Sequence, residues 1–188
     1  MLLEAILNTK APILFIENKL LYLLPVQDAA SLSEFDLQAS PLSPNLITPN
    51  SLTPNSYTLT LHAAPPPTIT LATYGYMAEL SRQAALKLAY EHEVFIEILI
   101  LTQLSPFEVE PVLASASRTR RLLTVEEGTY SLGWGAEILA RAVEALGPIL
   151  QSARRLAARD LPIPSSGPLE AAVLPSVEQI VEYCLKIT

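Results

Sequence analysis

From Thr68 to its C-terminus the chain alternates short apolar runs with amphipathic stretches, and this alternation restricts the fold more than any other feature of the sequence. TITLATY (68–74) reads as a strand. The residues after it place Met77, Leu80, Ala84 and Leu88 on one helical face, with Arg82, Lys87 and Glu91 outside. FIEILIL (95–101) is nearly all apolar, as expected of a strand buried on both faces. Ser105 and Pro106 predict the start of a helix running into FEVEPVLASA, with serine as N-cap and proline at the first helical position; Pro111 limits it to a short one. LLTVEE is a third strand, and Gly135 to Leu146 a helix with Leu139, Ala142, Val143 and Leu146 on its apolar face, ended by Gly147 and Pro148. Residues 149–156 form a candidate edge strand. In SVEQIVEYCLKI, Ser176 and Gln179 make a capping box, and Val177, Ile180, Val181, Cys184 and Leu185 line one face. Strands and helices in turn predict an α/β layer sandwich with a mostly parallel sheet and right-handed crossovers.

The preceding residues obey different rules. Prolines at 41, 44, 49, 54 and 65–67, interleaved with Ser, Thr and Asn, remove ladder donors and break any period, so residues 26–67 are expected to be an extended linker. The echoes SPNL, TPNS and TPNS also suit a polyproline II recognition tract. Upstream, LLEAIL reads as a helix end, and ILFIE as a buried strand. With no further strand for about forty residues, ILFIE resembles the last piece of a domain whose beginning is missing. Residues Ile13–Ile16 with Leu20, Leu21, Leu23 and Leu24 are too apolar to leave wet, and are expected to pack on the C-terminal domain or on a second copy.

Composition narrows the function classes. Half the residues are hydrophobic, enough for a core. A net charge of −7 argues against nucleic acid, which is bound through clustered cations. Arg118, Arg120 and Arg121 are expected to be solvated charges flanking buried strands. No run approaches the ~20 apolar residues that span a bilayer, and MLLEAILNTK lacks the basic lead of a signal peptide, so a cytoplasmic protein is expected.

Catalytic chemistry finds few residues to use. Cys184 occupies a core position of the last helix, and His62 and His92 have neither a nucleophile to serve nor carboxylates at metal-ligand spacing. The stretch EEGTYSLGWGAE is the one site-like segment. Its glycines and helix start suit a phosphate. Against that stand Glu126 and Glu127, the absence of a lysine after the glycines, and a glycine spacing that is not GxGxxG. Because adjacent strand residues face opposite ways, one carboxylate is expected to turn inward onto loop amides and the other outward. A structural turn, a subunit contact and a ligand site all remain open.

The motifs in order carry a resemblance. TLATYGYMAE, FIEILILTQLSPF, RLLTVEEGTYSLGWGAEILARAVE and RLAARDLPIPSSGPLEAAVLPSVEQIVEYCLK are similar to the C-terminal, transketolase-like domain of the β subunit of thiamine-diphosphate-dependent 2-oxo acid dehydrogenases (the E1 component, pyruvate dehydrogenase type). The matching positions are Thr73–Gly75, Leu104–Pro106, Val125–Gly128, Gly133–Glu137, Asp160–Pro164 and Leu174–Ile180. ILFIENKLLY, through Glu17, Lys19, Leu21 and Tyr22, resembles the last strand of that family's pyrimidine-binding domain. The resemblance implies residues 1–25 as a remnant of that domain, 26–67 as linker and 68–188 as the C-terminal domain. It also implies a three-layer α/β/α sandwich with a mixed five-stranded sheet, mostly parallel with one antiparallel edge strand. Thiamine diphosphate and Mg would belong to the complete enzyme and not to this chain, which is expected to be inactive alone. The implied partners are a second copy in a homodimer, the E1 α subunit and the subunit-binding domain of the E2 acyltransferase, with no nucleic acid or membrane. Glu126, Glu127, Tyr130, Trp134 and Glu137 are the interface candidates, and Glu178, Glu182 and Thr188 the docking candidates. Half of a split thiamine-diphosphate enzyme completed by another chain, and a free-standing protein-binding module, are the alternative functions.

Overall fold

A computed structural model describes residues 12–25, 32–40 and 54–188. Its centre is one six-stranded sheet in the order β1-β2-β4-β3-β5-β6. The strands are β1 (Phe35–Ala39), β2 (Ser56–Leu61), β3 (Ile69–Thr73), β4 (Ile96–Leu101), β5 (Arg121–Thr129) and β6 (Ser152–Ala158). The helices are α1 (Met77–His92), α2 (Glu110–Thr119), α3 (Trp134–Leu146), α4 (Gly167–Ala171) and α5 (Val177–Ile187). Strands β4, β3, β5 and β6 are mutually parallel, and β2 is antiparallel to both β1 and β4.

The pleat divides the core in two. Ile69, Leu71, Ile98 and Val125 face α1 and α5, where Leu88 and Ile180 are fully buried. Ala72, Leu99 and Leu122 face Val112 and Ala116 of α2 and Ile138 and Ala142 of α3. Three layers result, as expected. Ser176 caps α5 together with Gln179 in the expected box. Val143 and Leu185, counted with the apolar faces of their helices, point to solvent instead; the buried stripes run through Ile138 and Ala142, and through Ile180, Val181, Cys184 and Ile187. A helix on a flat sheet buries a stripe narrower than its apolar arc.

Several expectations are corrected. The sheet has six strands, not five, because β1 and β2 lie inside the segment expected to be linker. Phe35 and Leu37 of β1 register with Leu61 and Leu59 of β2, and Phe35 and Leu59 enter the core. β2 alone runs against the other strands, and β1 covers its outer edge. The proline-dense tract 41–53 lies outside the described residues, as does LLEAIL. Helix α2 begins at Glu110, so Pro111 falls in its first turn, where a missing N–H is harmless, and Ser105 and Pro106 precede it. ILFIE is not a strand: residues 12–18 have no regular structure and lead into a 3₁₀ turn at Lys19–Leu23. Its apolar side chains are not buried as expected: Leu14 is 85% exposed and Ile16 72%, while Ile13 and Phe15 are half-covered. Arg118 is no free surface charge, since it donates to both carboxylate oxygens of Glu97 at 2.9 and 2.7 Å. Ser115 adds a hydroxyl to that carboxylate, which β4 turns inward toward α2.

Candidate functional site

The carboxyl-terminal end of β5 and the turn into α3 hold most of the candidate residues. Alternation along β5 puts Thr124 and Glu126 on the α3 side and Leu123 and Val125 opposite. Glu126 is fully buried. Its Oε1 accepts the Gly135 backbone N–H at 2.8 Å. The N-cap of α3 is Gly133, whose lack of a side chain leaves the cap to this remote carboxylate. Close approach explains two of the glycines. A Cβ at Gly133 or Gly135 would lie 2.6 or 2.7 Å from Glu126 Oε1. Helix amides and carboxylate thus hold one another in contact, with negative charge at the positive end of the helix.

Burial pushes the Glu126 carboxyl above its usual range, against the pull of the Gly135 and Trp134 amides and the Arg155 charge. Burial and the Glu126 charge push the neighbouring Tyr74 phenol up to about 12. Among the described residues Glu126 Oε2, Thr124 Oγ1 and Trp134 Nε1 are buried without hydrogen-bond partners. Tyr74 lies close enough to Oε2 to favour its charge without completing a hydrogen bond in that geometry. Trp134 lies edge-on to Tyr74 with centroids 5.2 Å apart and tilted against Phe107 at 5.9 Å. Arg141 covers the Phe107 ring at 4.5 Å.

The interface candidates therefore separate. Glu126 cannot touch a partner because it is inside, and Trp134 packs within its own aromatic cluster. Glu127 faces the other way and accepts from Asn18 Nδ2 at 2.8 Å. Tyr130 is half exposed; its ring lies 4.0 Å beneath the Arg155 guanidinium, which also donates to the Tyr130 carbonyl at 2.8 Å. Glu137 is exposed and paired with Arg141 one helical turn on. Next to Tyr130, the Ser131 amide and hydroxyl both donate to Asp160 at 2.7 Å, which holds that carboxyl below its usual range. At the chain end, Glu182 pairs with Lys186 at 2.5 Å and Arg121 donates to the main-chain oxygen of Thr188 at 3.0 Å. Glu178 has no ion pair among the described residues.

Sequence reasoning missed Tyr74, Thr124 and Asn18. Thr124 was readable two residues before Glu126 on the same strand face, and Tyr74 stands in the motif match Thr73–Gly75, though nothing local ties it to Glu126; Asn18 arrives from a distant segment with no local signal. For chemistry, the arrangement offers a carboxylate already held by the helix it faces. Cys184 is buried, and burial pushes its thiol up to about 12. His62 pairs with Asp36 on the exposed β1–β2 ladder at 2.8 Å. Among the described residues no three His, Cys, Asp or Glu side chains group as metal ligands, and no helix is long and apolar enough to cross a membrane.

The family described as Transketolase, C-terminal domain, matches residues 60–180. Pyruvate dehydrogenase E1 component subunit beta-1, mitochondrial, of Arabidopsis thaliana is 32% identical over 183 residues, covering 96% of this chain and 45% of its own length. The corresponding subunit beta of Drosophila melanogaster is 30% identical over 190 residues, covering 99% of this chain and 47% of its own. The chain thus spans a little under half the length of these curated relatives. Among solved structures, one described as a split gene transketolase, inactive beta4 tetramer, shares the fold with a TM-score of 0.55 and 22% identity, over 63% of this chain and 38% of that one.

Proposed function

Because the chain belongs to the transketolase C-terminal domain family, we propose that it is a non-catalytic assembly and docking unit of an E1-type 2-oxo acid dehydrogenase β subunit. The observation that carries this reading is the Glu126 carboxylate seated on the Gly135 amide. A helix N-terminus beyond a parallel strand is where such folds usually take an anion. Here the chain's own carboxylate occupies it. Thiamine diphosphate and Mg, implied for the complete enzyme by resemblance, do not fit this turn: a diphosphate would meet a buried carboxylate, and Gly133 and Gly135 are already closed against Oε1. The turn serves to fix α3 on the sheet.

Assembly is supported by the apolar residues between Ile13 and Leu23, which stay exposed among the described residues and suit a partner surface. Docking of a basic E2 subunit-binding domain is supported more narrowly. Lys186 and Arg121 already engage Glu182 and Thr188, so Glu178 and the net charge of −7 supply the attraction. Calorimetric titration of the chain with the subunit-binding domain of a pyruvate dehydrogenase E2 acyltransferase tests this. Binding that weakens steeply with salt and drops with Glu178→Lys is expected; absence of binding at low salt would remove docking from the proposal.

Half of a split thiamine-diphosphate enzyme, completed by another chain, is a second reading; the chain spans a little under half the relatives' length. It requires that adding a polypeptide equivalent to the remaining half restore cofactor binding.

A further inference from the structure

The sheet face under α2 and α3 is not apolar throughout. At its amino end Thr70 of β3 and Glu97 of β4, partners in register, stand side by side and buried. Ser115, Arg118 and Thr119 of α2, spaced as i, i+3 and i+4, meet them from one helical face. Arg118 bridges both Glu97 oxygens and also donates to the Ala114 carbonyl of its own helix at 3.0 Å. Ser115 gives its proton to Glu97, so Thr70 donates to Ser115 at 2.6 Å; Thr119 in turn shares its proton between Thr70 at 2.7 Å and the Arg121 carbonyl at 3.1 Å. The buried polar atoms of this cluster are all satisfied.

We propose that the cluster is a positioning device: it fixes the rotation and seat of α2 on the sheet, and through α2 it sets the contact of Phe107 with Trp134 at the opposite, carboxyl-terminal end. The inference is independent of docking and assembly and stands or falls without them.

The side chains that α2 buries carry the first part. They are Val112, Ser115, Ala116 and Thr119, so half of them are polar and the apolar two are small. Small apolar side chains fit a sheet at many rotations of the helix, whereas hydrogen bonds hold only over a narrow range of angles. Direction in this contact therefore comes from the cluster. A buried ion pair seldom adds net stability over well-packed apolar side chains, which leaves a defined geometry as what Glu97 and Arg118 contribute.

The course of α2 carries the second part. The helix runs against the parallel strands, so its last turn lies at the cluster and its start follows Phe107. At ten residues it is about 15 Å long, a rigid rod over that distance, and a rotation at one end is delivered to the other. Trp134 opens α3, which the Glu126 carboxylate fixes separately through the Gly135 amide. The Phe107–Trp134 contact thus joins two helices that are anchored by different polar groups, and a shift of either anchor changes it.

Trp134 is the one tryptophan of the chain, so its fluorescence reads this contact. Acrylamide quenching and near-ultraviolet circular dichroism of the full chain, measured beside urea denaturation, separate position from stability. The triple variant Glu97→Leu, Ser115→Ala, Arg118→Met removes the anchor without orphaning a hydroxyl, because Thr70 can then donate to Thr119 and Thr119 to the Arg121 carbonyl. Its urea midpoint should stay near that of the wild type, while the quenching constant of Trp134 rises about twofold or more and the near-ultraviolet signal weakens. Val181→Ala, in the core on the other face of the sheet, is the control: the midpoint should fall and the quenching stay unchanged. Arg118→Lys keeps the charge but cannot both bridge Glu97 and hold the Ala114 carbonyl, and should give a quenching constant between those of the wild type and the triple variant; it decides the matter if the triple variant does not fold. Wild-type quenching in the folded cluster variants, whatever their midpoints, would overturn the positioning role.

Discussion

At the scale of single residues, Glu126 is the position where function and structure could have been confused. Its carboxyl is raised in the folded chain relative to the unfolded one, chiefly by burial. The sign follows from proton linkage: the folded state holds the proton more tightly, so stability is greatest below the unfolded value and falls as pH rises through the folded value. Glu126→Gln, which keeps an acceptor for the Gly135 amide and cannot ionise, should therefore gain on the wild type as pH rises from 4 to 7; urea melts at several pH values measure this. Glu126→Ala orphans the amide and opens a cavity, and should cost about 2 kcal/mol at pH 4, a cost that shrinks as pH rises because the wild type alone loses stability. A Gln variant that loses ground with rising pH would refute the assigned cause. Cys184 gives a second residue-scale expectation. Its buried thiol, pushed up to about 12, should react with a thiol reagent only as fast as the protein unfolds. Which of the two adjacent carboxylates turns inward depends on the absolute orientation of the pleat, which local sequence leaves open.

At the scale of elements, the β5–α3 turn is built by close approach. A Cβ at Gly135 would meet Thr124 Oγ1 and Glu126 Oε1, both buried, so Gly135→Ala should displace the helix start and destabilise by about 1–3 kcal/mol, read from chemical denaturation. Gly167→Ala, with open space around the added methyl, is the control and should be nearly neutral. The strong periods of β3, α1, β4, α3 and α5 made those elements legible in the sequence. β1 and β2 were hidden because they are short and the prolines around them dominate the composition, although every proline of that region falls outside both strands. ILFIE misled in the opposite direction. An apolar run predicts burial, but a strand needs a neighbour, and residues 12–18 pair with none of the six strands, whose edges are β1 and β6.

At the scale of the whole molecule, the four parallel strands hold α1 and α5 on one face and α2 and α3 on the other, and the one site-like turn is closed by its own side chains. Exposed apolar side chains cluster in residues 13–23, at Leu132 and at Leu161, Ile163 and Leu169. That combination supports a unit that joins chains over one that holds a cofactor. The family was readable from the order of its motifs. The six-stranded sheet and the Asn18 tether were not, because they depend on long-range pairings that no local motif encodes. The most direct measurement is a calorimetric titration of the chain with thiamine diphosphate and Mg²⁺. No saturable heat is the expected result, with Glu126→Gln equally silent; micromolar binding by the chain alone would contradict the account.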